Sequence, residues 1–164
     1  MARQGLYGEY TYAVHMGEGL TALIASVYTQ TLGLGVRGQY NARRGYAAGM
    51  GVIIAAAAQI VWESARRDEV LKFDFIRYGM VFAGVMLLCV LIPSLIRCNW
   101  SVRKRVGAVA VFALLIVVCV MMEFFIDGKI IQDMPIWLCY LIDTLCACGI
   151  ATICARMLRS AVRA

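Results

Sequence analysis

The chain has 164 residues, of which 62% are hydrophobic, and its mean hydropathy is +0.77. Water-soluble domains run at about 45–50% apolar residues, so the composition excludes a soluble fold. Sixteen basic and ten acidic residues give a formal charge of +6, but the bases gather at the ends of apolar runs, which points to membrane topology and lipid headgroups and not to a nucleic-acid surface.

Residues 1–13 carry neither the cationic start and apolar core of a signal peptide nor the repeated Arg and Ser of a mitochondrial presequence. Met1-Ala2 offers no myristoylation site. The first apolar segment, 14–36, is the most polar of the series, with Glu18, Thr21, Gln30 and Thr31 inside it. The second, 45–62, is rich in Gly and Ala. The third, 76–96, contains Pro93, which should kink or end a helix. Residues 97–105 form a cationic turn, and the fourth segment, 106–126, follows it. Segments three and four therefore read as a transmembrane hairpin. The fifth, 135–155, opens on Pro135, suited to a first helical turn, and encloses Asp143.

Runs of about 17–25 uncharged residues match a hydrocarbon core about 30 Å thick. Within lipid every backbone group needs an internal partner, so spans of this length must be helices. The expected fold is an all-α integral membrane protein, one multi-pass domain over 1–164 with short loops. It has five transmembrane helices, or four if the first segment lies at the interface. The longest connection, 63–77, carries mixed charge and reads as a short helical turn at the membrane surface.

Five spans place connecting segments alternately on two sides. Residues 37–44, 97–105 and 156–164 hold ten basic side chains and no acid. Residues 1–13, 63–77 and 127–134 hold six basic and seven acidic ones. The positive-inside rule counts Lys and Arg, so the N-terminus is expected outside and the C-terminus in the cytoplasm or mitochondrial matrix.

Small residues mark close packing. Gly45 and Gly49 form a G-x-x-x-G pair, and Gly51 continues that face. Asp143 is the most informative single residue, because a carboxylate inside a span costs about 2.5–3.5 kcal/mol on insertion scales. It marks a proton relay, an ion site or a substrate contact, or else a protonated or hydrogen-bonded acid, with Thr144 or Tyr140 as partner, or an ion pair with another subunit. His15 and Glu18 lie three apart on one helix face. With Glu123 and Gln59 at a similar depth they form a candidate polar cluster near the outer boundary.

Six of the seven cysteines lie in spans, as small hydrophobes. With a single His and no Cys-x-x-Cys, neither a zinc site nor bis-His haem is expected. No nucleophile elbow, phosphate loop or dinucleotide fingerprint is present. Aromatic residues lie near span ends as an interfacial belt. Arg97, Arg103, Lys104, Arg105, Arg156, Arg159 and Arg163 are the expected headgroup contacts, for an anionic phospholipid such as cardiolipin.

The expected function is that of a non-catalytic accessory subunit in a large membrane complex, with other membrane subunits and anionic lipid as partners and no cofactor, metal or nucleic acid. The alternative is a small transporter or channel using Asp143 and the His15/Glu18/Glu123 cluster. Thirteen Arg against three Lys suggest a GC-rich coding bias and seven cysteines suit a eukaryotic source; for a small multi-span chain without motifs, the expected setting is the mitochondrial inner membrane and a respiratory-chain or ATP-synthase assembly. A bacterial plasma membrane is the alternative location.

Overall fold

The computed structural model describes residues 16–29, 46–65, 72–73, 76–126 and 135–163. Residues 16–29 are helical (α1). Then come α2 (Tyr46–Ala65), strands β1 (Lys72–Phe73) and β2 (Ile76–Arg77), α3 (Tyr78–Arg97), α4 (Val102–Ile126) and α5 (Ile136–Arg163). Helices α2 to α5 are long and apolar enough to cross a membrane. The fold is an all-α membrane protein, with α1 as a shorter fifth helix. The rest of the expected first span, 14–15 and 30–36, lies outside the described residues.

Helix ends differ from the sequence expectation in a consistent way. α2 runs past Trp62 to Ala65, α4 starts at Val102 and not at residue 106, and α5 continues from residue 155 to Arg163. By apolar run length alone, a span ends at the first charge. A helix that buries its charged residues against neighbours, or carries them into the headgroup layer, has no reason to stop there. Pro93 lies inside α3 without ending it, since in hydrocarbon a broken helix would strand backbone groups. Of the connection 63–77, where a short helical turn is expected, residues 63–65 continue α2 and 72–73 and 76–77 form a short antiparallel pair, Lys72 opposite Arg77 and Phe73 opposite Ile76; 66–71 and 74–75 lie outside the described residues. Aromatic and β-branched residues prefer the extended backbone.

α5 is the central helix. It packs against α2, α3 and α4, and α2 packs against α3. Seven of its buried residues, Cys139, Asp143, Cys146, Ile150, Cys154, Met157 and Ala161, repeat at spacings of three and four, a single stripe of the kind that interlocks helices. Four of the seven are Cys or Ala, which lets neighbouring backbones come close. The facing residues include Ile53, Ala56 and Ile60 from α2 and Ala83, Leu87 and Leu91 from α3. α4 contributes few buried residues, among them Phe112 and Cys119.

The expected hairpin of α3 and α4 forms only at its turn. Arg105 fastens that turn, donating from Nε to the Trp100 carbonyl at 2.9 Å and from Nη2 to the Cys98 carbonyl at 2.6 Å. Beyond it the two helices hardly touch. A cavity of about 230 Å³ lies between them, lined by Met80, Gly84, Leu87, Ile116, Cys119 and Glu123 among others. α1 runs antiparallel to α2: Gly17 abuts Trp62 near one end and Gly51 abuts Thr29 near the other. The outer faces carry Phe82, Val85, Leu88, Ile92, Leu114 and Val117 exposed, an apolar surface that a bilayer solvates and water does not.

Candidate functional site: a buried polar layer

Four elements meet at the end of the bundle where α2 and α4 finish and α3 and α5 begin. The stripe Ile53, Ala56, Ile60 of α2 continues at the same spacing into Glu63 and Ser64, both at most 2% exposed. Arg77, the last residue of β2, caps the start of α3 and is 3% exposed. Glu123 lies one turn before the end of α4. Asp143 lies about 10 Å along α5 from Ile136 at 1.5 Å per residue and is 1% exposed.

Arg77 ties three of these elements together. Its Nε meets the Glu123 Oε2 at 3.2 Å, a buried ion pair between α3 and α4. Its Nη1 donates to the Glu63 carbonyl at 2.7 Å. Such charge-assisted bonds also serve the carbonyls at the end of α2, which have no partner within the helix. Gln59 Nε2 donates to Glu63 Oε2 at 3.2 Å. The Glu63 carboxylate lies against Gly79, where a Cβ would collide with it, so the absence of a side chain at Gly79 is what lets the acid lie flat on α3.

Asp143 has a different partner from the one expected. Thr144 donates instead to the Tyr140 carbonyl. The Asp143 Oδ2 receives Ser64 Oγ at 2.7 Å, which joins α5 to α2. Ser64 Oγ also lies 3.0 Å from the Ile60 carbonyl. A hydroxyl has one hydrogen, so both contacts are filled together only when the carboxyl supplies the second. The Asp143 Oδ1 has no hydrogen-bond partner. The thiols of Cys119 and Cys146 stand beside this carboxyl.

The expected polar cluster is thus partly assembled. Glu123 is paired with Arg77, Gln59 with Glu63, and Asp143 with Ser64. Glu18 is half-buried on α1, in the turn that abuts Trp62, and His15 lies outside the described residues. The sequence expectation puts Glu63, Ser64 and Arg77 in a connection at the membrane surface; the structure buries all three. The continuing three-and-four spacing of α2 was the signal for Glu63 and Ser64. Nothing in the sequence around Arg77 marks it as buried.

Of the expected packing glycines, Gly49 abuts Leu158 of α5 and Gly51 abuts Thr29 of α1. Gly45 lies outside the described residues. Of the expected headgroup contacts, Arg97, Arg103, Lys104, Arg156 and Arg159 are exposed at the opposite end of the bundle. Arg105 is half-buried and turned onto the turn carbonyls. Arg163 ends α5 at that same end.

Among the described residues, no group of three or more His, Cys, Asp or Glu is placed to hold a metal ion. The layer can fasten helices to one another, and at Asp143 it can take up or release a proton. No family model matches the chain, and no curated protein or solved structure is significantly similar to it.

Proposed function

We propose that the chain is a non-catalytic structural subunit of a larger membrane assembly. The observation that supports this reading most is how the buried polar groups are used. Arg77, Glu63, Glu123, Ser64 and Asp143 are spent on bonds that join one element of the bundle to another, with Gln59 bracing the Glu63 carboxylate within α2, as expected of polar residues that fix a packing arrangement. The weak seam between α3 and α4 agrees with a bundle that meets neighbours in the membrane plane. The membrane we favour is the mitochondrial inner membrane, with a respiratory-chain or ATP-synthase complex as host and the basic end of the bundle in the matrix. The test is a native gel of mildly solubilised membranes, with mass spectrometry of each band that carries the chain. Co-migration with a large assembly is the expected result. Migration as a monomer or small homo-oligomer would overturn the proposal.

One observation favours a second reading. The Asp143 Oδ1 is buried without a hydrogen-bond partner, and an ionisable residue inside a membrane protein is a transport-site candidate by default. A proton-coupled transporter built on Asp143 should lose flux in Asp143→Asn at unchanged protein level. A structural subunit should assemble normally with that substitution.

A further inference from the structure

The end of the bundle opposite the polar layer has its own cavity. It measures about 260 Å³ and lies between the first turns of α2, the last turns of α3 and the last turns of α5. Its rim carries Arg97, the final residue of α3, and Tyr46, the first residue of α2. Its deeper wall is formed by Gly49, Val90, Pro93 and Leu158. Val90 lies seven residues before Arg97, about 10 Å down the helix at 1.5 Å per residue. The cavity therefore runs from a cationic rim into the apolar layer.

Charge sorting makes this end selective. Every described acid, namely Glu18, Glu63, Glu123 and Asp143, lies at or towards the opposite end. Arg97, Arg103, Lys104, Arg156 and Arg159 are exposed around the cavity's end of the bundle. Arg159 reaches the Tyr46 hydroxyl on the rim, which puts a second guanidinium beside the mouth. Guanidinium pairs hold phosphate oxygens in fixed geometry. Cys89 borders the same cavity one turn below Pro93. The volume is smaller than the roughly 300–1,000 Å³ of sites that enclose a whole ligand, so it suits one section of a longer molecule whose remainder stays in the bilayer.

We propose that this cavity seats one anionic glycerophospholipid, with its phosphate between Arg97 and Arg159 and one acyl chain along Val90 and Leu158. The assignment is separate from the assembly reading and stands whether or not the chain has protein partners.

The test uses the full chain reconstituted in phosphatidylcholine vesicles with a minor fraction of phosphatidylglycerol, and native mass spectrometry of the lipid retained after extraction. One phosphatidylglycerol per chain should be kept in preference to phosphatidylcholine. Removing both charges in R97Q/R159Q should weaken that preference about ten- to thirty-fold, at about one kcal/mol for each cation. Cys89→Trp and Val162→Trp fill the cavity from α3 and from α5 with the charge untouched, and both should lose the retained lipid. Equal retention of the two lipids by the wild type would overturn the proposal. So would full retention by both tryptophan variants, because charge on an open surface would then be enough. Inorganic phosphate at millimolar concentration should not displace the lipid. Displacement would reduce the seat to an anion site and overturn the acyl-chain assignment.

Discussion

Arg77 and Glu123 are the residues where substitution should have the largest effect. Removing one partner of a buried ion pair leaves the other charge without compensation and costs about 3–5 kcal/mol, whereas replacing both with apolar residues is often neutral. Arg77→Leu and Glu123→Leu should each lower unfolding stability in mild detergent by that amount, and the double variant should recover most of it. Additive losses in the double variant would mean the two side chains do not depend on each other. Asp143 should behave differently. An asparagine amide can give Ser64 the hydrogen that a neutral carboxyl gives, so Asp143→Asn should fold within about 1 kcal/mol of wild type. Ser64→Ala removes the hydroxyl that bonds the acid and should cost about 1–3 kcal/mol. A melting curve of the three proteins in the same micelle orders them.

Among the elements, α2 and α5 are held at close range by what Gly49 lacks. A Cβ there would stand 2.7 Å from the Leu158 Cδ2, too close for contact, although the obstacle is the tip of a flexible side chain. Gly49→Ala should therefore be mild, Gly49→Leu severe, and Leu158→Ala should rescue the alanine variant, all read as fraction folded after reconstitution. The element plan was legible in the sequence because apolar run lengths report bilayer thickness directly. The ends were less so. Glu63 and Ser64 carry polar atoms, and a reading that sends polar atoms to water cuts α2 before them. The buried layer forms because residues from four elements, distant in sequence, arrive at one height, and only Asp143, Glu123 and Gln59 announced themselves by standing inside apolar runs. Arg77 looks in the sequence like any other cation flanking a span. Only the approach of α4 makes it a buried one.

For the molecule as a whole, the sorting of charge to opposite ends sets an orientation that labelling can read. Cys98 is unsuited as a reporter, being 2% exposed and bonded through its thiol to the Leu95 carbonyl. Its neighbour Asn99 is exposed in the same turn. In a chain carrying Asn99→Cys, an impermeant thiol reagent should label this position only after the membrane is opened. Labelling of intact cells or mitoplasts would place the basic end outside and reverse the topology.

The loose seam between α3 and α4 has a consequence for biogenesis. A nascent chain delivers its helices in order, and α2 with α3 can settle together as soon as both have left the translocon. α4 arrives next and finds little to hold it except the turn that Arg105 fastens and the Arg77–Glu123 bond at its far end. Its long seam is with α5, which is synthesised last. The fourth helix should therefore linger beside the translocon or a membrane chaperone until translation ends, and a ribosome stalled within α5 should hold an intermediate in which α4 is still open to cross-linking.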